Sequence, residues 1–159
     1  MAENNISFEV QGLKELEQAL LEIGSSASGK ALFASLMAAG LPIQKEAKKL
    51  APKATKPYYR HKKTKKALVQ PGGLRKSIGR KRIKDSGLGS SATVGISWRG
   101  SGFYGRFIEF GTSKNAAQPF LRPAFDANKE EALTIFKQKL AENIEKQRQK
   151  IAQRTQGIR

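Results

Sequence analysis

Positive charge is concentrated in one quarter of this chain. Between Lys45 and Lys84 there are sixteen Lys or Arg residues and one acid, Glu46, so this segment carries +15 of the net charge of +17. The rest of the chain holds fourteen basic and twelve acidic residues and is close to neutral. A near-neutral body with one cationic segment is typical of a scaffold that presents an element to a polyanion. Nucleic acid, a membrane surface and an acidic protein all fit, and charge alone does not choose among them.

The composition sets further bounds. A length of 159 residues indicates one domain with a modest core. The chain has no cysteine, which excludes a disulfide framework and thiolate chemistry. The first residues lack the order of a signal peptide, and the longest uncharged run, Ala31 to Gln44, is too short to cross a bilayer. We therefore expect a soluble intracellular protein without a membrane partner.

Two elements are predicted before residue 25. Ile6, Phe8 and Val10 alternate with polar residues, which indicates a short half-buried strand. Apolar residues then recur at helical spacing over residues 13–23, and Gly24 is expected to end this helix.

The next part of the chain divides into a helix and a loop. A second helix is predicted from about Lys30 to Leu50, with Leu32 and Leu36 on its apolar face. Pro42 inside it should kink the helix or split it in two. Residues 51–73 lack apolar periodicity and are predicted to form a long basic loop, which in a compact domain is functional or disordered.

The following residues predict a turn, two strands and a short helix. Residues 74–78 could form one helical turn, while residues 80–85 and 92–98 are typical of two strands joined by the turn Ser86–Ser90. Residues 103–110 predict a short aromatic helix or turn that ends at Gly111, where a positive φ is expected.

A long helix is predicted from about Ala124 to Arg148 or beyond. The fold class that results is α+β: a small antiparallel sheet packed against two or three helices, with a long C-terminal helix and a long basic loop. We expect a single domain over residues 1–145, with the basic loop 51–73 inserted, and a basic C-terminal extension over residues 146–159.

The glycine pattern Gly100-Ser-Gly102-Phe-Tyr-Gly105 matches the dinucleotide-binding motif G-x-G-x-x-G. That motif needs a crossover helix and a second parallel strand. Too few residues separate Gly102 from Gly111 for such a helix, and no parallel strand follows. The pattern therefore favours a glycine-rich turn, and no cofactor is expected.

Two titratable residues are candidates for catalytic groups. His61 is the only histidine, and neither a cysteine nor a carboxylate pair lies at ligand spacing, so neither a metal site nor a catalytic base is expected. Glu109 lies among aromatic residues. It could be an acid with a raised pKa, an exposed helix residue, or an ion-pair partner of Arg106 or Arg122, and the ion pair is favoured. No catalytic residue is predicted, and the chain is not expected to be an enzyme.

Two groups of residues are candidates for interactions. Charge runs are commonly only solvated, but Tyr58 and Tyr59 lie among these charges, as in surfaces that stack on bases. The candidate contacts to DNA or to an acidic partner are Lys53, Lys56, Arg60, Lys62, Lys63, Lys65 and Lys66. The candidates for packing or for a subunit interface are Phe103, Phe107, Phe110, Phe120 and Phe125.

Several stretches in fixed order resemble one family. They are Phe8-Glu-Val-Gln-Gly-Leu-Lys-Glu-Leu, Ala47-Lys-Lys-Leu-Ala-Pro52, Gly73-Leu-Arg-Lys-Ser-Ile78, Tyr104-Gly-Arg-Phe-Ile-Glu-Phe-Gly-Thr112 and Ala117-Gln-Pro-Phe-Leu-Arg-Pro-Ala-Phe125. Over residues 6 to about 145 the chain resembles the neck, tail-completion or minor tail component proteins of long-tailed bacteriophages. One departure stands out: where that family usually has a short Thr-Gly link, this chain has residues 53–72, which are strongly basic.

The resemblance implies a structural, non-enzymatic protein of the head–tail junction that is assembled in the host cytoplasm. It implies a homo-oligomeric ring around the DNA channel, with adjacent neck and tail proteins as partners. Genomic double-stranded DNA in the lumen is a further expected partner of the basic loop, and an acidic neighbouring ring is the alternative. Two rivals stay open: a free-standing basic nucleic-acid-binding protein, and a nucleotide-dependent enzyme built on residues 100–105.

Overall fold

The computed structural model describes residues 13–54, 57–61, 66–69, 71–83 and 92–156. Over these residues the elements follow in the order α1 (Leu13–Glu22), α2 (Ser25–Leu50), β1 (Tyr58–His61), β2 (Lys66–Val69), α3 (Gly73–Ser77), β3 (Ile78–Ile83), β4 (Thr93–Trp98), a 3-10 helix (Gly100–Tyr104), α4 (Gly105–Phe110) and α5 (Leu121–Gln156). The predicted α+β class is confirmed. The predicted strand at residues 6–10 and turn at 86–90 lie outside the described residues.

The helices α2 and α5 form an antiparallel pair that supports the rest of the molecule. Ser35, early in α2, accepts a hydrogen bond of 3.0 Å from Nδ2 of Asn143, late in α5. At the other end of the pair, Ala47 and Ala124 are fully buried in one cluster. Five of the six buried residues of α2 recur every fourth position and are mostly small, which lets the two helix backbones approach closely. They are Ala31, Ser35, Ala39, Ile43 and Ala47.

Pro42 lies inside α2 without splitting it, since the helix runs unbroken from Ser25 to Leu50. Of the two effects expected of Pro42, a kink or a split, the split does not occur. The helix ends at Ala51, whose N–H donates to the carbonyl of Ala47 at 2.9 Å, and Pro52 follows, where the helix could not continue.

The sheet β3–β4 packs on the α2 side of the helix pair. The two strands are antiparallel, with Ile78 opposite Trp98 and Ile83 opposite Thr93. Gln44 of α2 donates to the carbonyl of Ile78 at 3.0 Å, which ties the sheet to the helix.

A second antiparallel pair, β1–β2, forms a hairpin in which Tyr58 pairs with Val69 and His61 with Lys66. This corrects the prediction of a loop throughout residues 51–73. Part of the segment is a regular hairpin.

Two apolar clusters form the core. One lies where α2, β3 and α5 meet and includes Phe120, which is fully buried. The other joins α1 to the far end of the helix pair through Ile23, Ala31, Leu140 and Ile144. α5 extends beyond this second cluster to Gln156, and Arg148 forms a salt bridge with Glu22 of α1.

Candidate interaction surfaces

The connection from α4 to α5 is a rigid corner organised by one buried carboxylate. Glu109 of α4 is 6% exposed. Its Oε2 accepts hydrogen bonds from the N–H groups of Phe120 and Leu121 at 2.8 and 3.0 Å, and its Oε1 accepts one from Arg122 at 3.1 Å. These are N–H groups at the start of a helix, which have no partner inside the helix and carry partial positive charge. A carboxylate at that position satisfies them and fixes the direction in which α5 begins.

This arrangement corrects the ion pair predicted for Glu109. Among the described residues, its hydrogen-bond partners are backbone N–H groups, and neither Arg106 nor Arg122 forms a salt bridge with it. Sequence reasoning missed this role because the bonded N–H groups lie eleven to thirteen residues downstream.

Gly111 completes the corner. Its φ is +75° and its ψ is −178°, so the predicted positive φ is confirmed, although ψ is extended rather than left-handed helical. A Cβ at this position would lie 2.9 Å from the amide nitrogen of Ala117 and 3.0 Å from the carbonyl oxygen of Asn115. Gln118 donates to the carbonyl of Ile108 at 2.8 Å, which holds the returning chain against α4.

The corner carries an exposed aromatic surface. Phe103, Phe107, Phe110 and Phe125 are 45%, 42%, 71% and 54% exposed, whereas Phe120 is buried and its ring lies 6.2 Å from that of Trp98. Phe120 therefore packs in the core, whereas the other four phenylalanines are exposed on the surface of the single chain. An apolar surface of this kind on a rigid support is typical of an interaction site.

In place of the predicted glycine-rich turn, residues 100–104 form the 3-10 helix and Gly105 begins α4, and the glycines are needed for packing. A Cβ at Gly102 would overlap the Ser77 hydroxyl, and one at Gly105 would lie 2.9 Å from Leu74 and Trp98. The glycines let the 3-10 helix and α4 approach α3 and β4. Short helices, rather than one crossover helix, follow the motif, so the geometry of a dinucleotide site is absent from this described region.

The basic residues between Lys45 and Lys84 fall into two structural groups. Arg75 donates through Nε to the carbonyl of Ala51 at 2.7 Å, Arg80 donates to the carbonyl of Met37, and the guanidinium carbon of Arg82 lies 3.6 Å from the centre of the Phe33 ring. These arginines stabilise the fold. The lysines in the described part of the segment, such as Lys45, Lys49 and Lys53, are mostly exposed.

Three of the seven candidate contact residues are described, and they lie on or beside the hairpin. Lys53 is exposed just after α2, Arg60 belongs to β1, and Lys66 begins β2. Lys56, Lys62, Lys63 and Lys65 lie outside the described residues. The pairing of His61 with Lys66 brings Arg60 and Lys66 to the same end of the hairpin, which sequence reasoning did not foresee.

The base of the hairpin adjoins the aromatic corner. Lys53 and Gly73, which flank the hairpin, line a cavity of about 260 Å³ together with Tyr104, Ile108 and Gln118. The bond from Arg75 to Ala51 fastens the same base. The base of the hairpin therefore lies beside α4, the helix that carries Phe107 and Phe110.

More positive charge lies at the opposite end of the helix pair. Lys30 of α2 and Lys150 and Arg154 of α5 line one pocket beside the start of α2. The basic C-terminal residues predicted as an extension thus continue α5 as far as Gln156.

The described residues contain neither a cluster of three or more potential metal-ligating side chains nor a helix long and apolar enough to cross a membrane.

A comparison with known families decides among the remaining alternatives. Residues 14–111, more than half of the chain, match the family described as "Bacteriophage HK97-gp10, putative tail-component". The chain belongs to the HK97-gp10-like family. This confirms the predicted resemblance. The match covers α1 to the end of α4 and Gly111, and so includes both the hairpin and Glu109.

Membership of the HK97-gp10-like family identifies the chain as a bacteriophage tail component, which indicates a place in the virion and a structural role. The chain has no significant match among curated proteins or among solved structures.

Proposed function

We propose that this HK97-gp10-like protein is a structural subunit of the head–tail junction and forms a homo-oligomeric ring around the DNA channel. The exposed aromatic surface on the rigid α4–α5 corner carries this proposal. Four phenylalanines remain largely open to solvent while the backbone beneath them is fixed by Glu109 and Gly111. Preorganised apolar surface loses little conformational entropy when it binds.

The occupant of this surface is a second copy of the same chain. A tail component functions in a symmetric particle, and closed cyclic symmetry is the usual way for identical subunits to bury matching surfaces. Each Phe side chain that becomes buried contributes about 1.5–3 kcal/mol to the free energy of association. A small patch of this kind is therefore sufficient to favour one orientation between neighbouring subunits.

The hairpin β1–β2 presents the basic segment to DNA in the channel. Arg75 and Arg80 bond to the body of the protein, so the cations that serve DNA are the lysines, of which Lys53 is exposed at the base of the hairpin. Contacts of this kind act on phosphates and have no sequence preference, as a channel protein requires. Because the base of the hairpin adjoins α4, the segment that faces the genome is attached beside the helix that carries part of the ring contact.

Analytical ultracentrifugation of the purified protein, with Phe110→Ser and Leu21→Ser as a matched pair, tests the ring. The two side chains are 71% and 76% exposed, but Leu21 lies on α1, away from the corner. Phe110→Ser is expected to abolish the oligomer while its far-UV circular dichroism spectrum stays that of the folded wild-type protein, and Leu21→Ser to leave the oligomer intact. An oligomer that survives Phe110→Ser, or a wild-type protein that stays monomeric at all concentrations, contradicts the proposal.

A further inference from the structure

An open apolar groove of about 650 Å³ lies between the sheet and the α2–α5 pair. Its walls come from α2, β4 and α5, and its polar atoms are few. The residues that define it are Leu36, Val94, Ile96, Phe125, Leu133 and Phe136. Phe110 and Phe125, which belong to the exposed aromatic surface described above, also line this groove.

The groove is wide enough to hold one additional strand beside β4. The helix layer is two helices wide, and packed helices lie about 8–10 Å apart. The sheet above it has two strands, β3 and β4, at a spacing of about 4.8 Å. The sheet is bonded to α2 through Gln44 and Arg80. Within the described part of the chain, no strand beside β4 covers the part of the helix layer formed by α5.

Among the described residues, the edge of β4 beside the groove has no strand partner. Among the described residues, β4 pairs only with β3. Arg99, which follows β4, donates its N–H to the carbonyl of Ser77 at 3.0 Å. Because every second residue of an antiparallel strand bonds to the same neighbour, the odd-numbered residues of β4 are those that bond to β3. Val94 and Ile96 consequently direct their N–H and C=O groups to the free edge. A half-buried free edge is an available site for another strand.

The first turn of α1 lies at one end of this groove. Glu22, at the end of α1, pairs with Arg148 of α5, and Leu16 packs on the same cluster as Phe136. α1 thus runs alongside α5 in the same direction. Its first residue, Leu13, lies toward the Phe136 end, and Phe136 also lines the groove.

We propose that residues 6–10 of this chain fill the position beside β4, antiparallel to it, with Ile6, Phe8 and Val10 in the groove. The alternation of apolar and polar residues in this segment matches a site that is apolar on one side and open to solvent on the other. Only Gln11 and Gly12 separate Val10 from Leu13, a reach of about 11 Å at 3.3–3.6 Å per residue.

The short link also sets the direction of the strand. Ile78, at the start of β3, bonds to Gln44 of α2, whereas Arg80, further along β3, bonds to Met37, which comes earlier in α2. The strand β3 is therefore antiparallel to α2, and β4, which is antiparallel to β3, is parallel to α2. The Val94 end of β4 therefore lies near the start of α1. A strand that must reach Leu13 at that end is antiparallel to β4.

This proposal does not depend on ring formation.

Cross-linking tests the proposal directly, because the chain has no cysteine and every introduced pair is unique. The full-length variant Phe8→Cys with Leu133→Cys is treated with a short bismaleimide, and Ser7→Cys with Leu133→Cys is the matched control on the opposite face of the predicted strand. We expect an intramolecular cross-link with the first pair and at least tenfold less with the second. An intermolecular product means that the groove binds a second copy, and equal products from both pairs mean that no strand is fixed there; either overturns the proposal.

Hydrogen exchange provides a second readout on the unmodified protein, independent of how the cysteine variants fold. The N–H groups of Val94 and Ile96 are expected to exchange at least a hundredfold more slowly than those of an exposed edge. Rapid exchange at both positions, with protected N–H groups elsewhere in β4, overturns the proposal.

Discussion

The side chain of Glu109 and the backbone N–H of Phe120 form a buried hydrogen bond of 2.8 Å. This bond joins the end of α4 to the start of the longest helix in the described structure. It also fixes the side of the molecule on which Phe107, Phe110 and Phe125 lie, because these residues belong to the helices on either side of the bond.

Replacing Glu109 should destabilise the protein strongly. Glu109→Ala leaves three N–H groups at the start of α5 without their acceptor, and a buried unsatisfied donor costs about 1–3 kcal/mol. We expect a decrease of at least about 2 kcal/mol in the free energy of unfolding, measured by urea titration. Glu142→Ala, which removes a carboxylate on the exposed surface of α5, is the control and should leave the transition unchanged. A Glu109→Ala protein as stable as the control would show that the corner does not depend on this carboxylate.

Gly111 and Gly29 give a matched pair of substitutions with opposite expected signs. At Gly111 the combination of positive φ and extended ψ is accessible essentially to glycine alone, and a Cβ would meet backbone atoms at 2.9 and 3.0 Å. Gly111→Ala should therefore destabilise by more than about 1 kcal/mol. Gly29 lies inside α2 with open space around it, so Gly29→Ala should stabilise by about 0.5–1 kcal/mol. Thermal denaturation of both variants checks the signs, and a neutral Gly111→Ala would contradict the packing seen here.

The glycine-rich turn should respond to packing and not to nucleotides. Gly102→Ala places a methyl group in the position of the Ser77 hydroxyl and should lower the melting temperature by several degrees. Adding ATP or NAD to the wild-type protein should leave its melting temperature unchanged. A ligand-dependent rise that Gly102→Ala abolishes would support the nucleotide-dependent enzyme instead.

The basic hairpin should account for most of the DNA affinity. Replacing Lys62, Lys63, Lys65 and Lys66 by Gln should reduce the slope of log affinity against log salt by about 0.9 for each phosphate that the variant no longer neutralises. Melting temperatures should not change, because solvated lysines contribute little to stability. The control replaces four exposed lysines elsewhere, Lys76, Lys114, Lys129 and Lys146.

Fluorescence anisotropy over a range of salt concentrations makes this comparison. If both sets of four change the slope equally, binding depends on total charge and the hairpin has no special role. If the unmodified protein has no affinity for DNA at low salt, the acidic-partner alternative replaces the DNA contact.

Helices were predictable because their signals are local. The apolar spacing of residues 13–23 and the glycine at 24 predicted α1, and the alternation in residues 92–98 predicted β4. The hairpin β1–β2 was missed because its strands are only four residues long and one carries Arg60 and His61. A cross-strand pair depends on partners that no single short stretch of sequence shows.

The packing face of α2 was only partly predictable for a related reason. Large residues such as Leu36 and Leu50 indicated the expected face, whereas the close contact with α5 depends on Ala31, Ser35 and Ala39, whose small side chains give a weak signal. The exposure of Phe107 and Phe110 has the same origin. An apolar side chain gives the same signal in sequence whether it packs inside one chain or between two copies.

Electron microscopy of the purified protein and of assembled particles tests the central claim most directly. The account predicts closed rings of this subunit at the head–tail junction, with Phe110 at contacts between neighbouring copies and the β1–β2 hairpin directed to the central channel. Particles in which the subunit forms no ring, or in which the hairpin lies on the outer rim away from the axis, would contradict it.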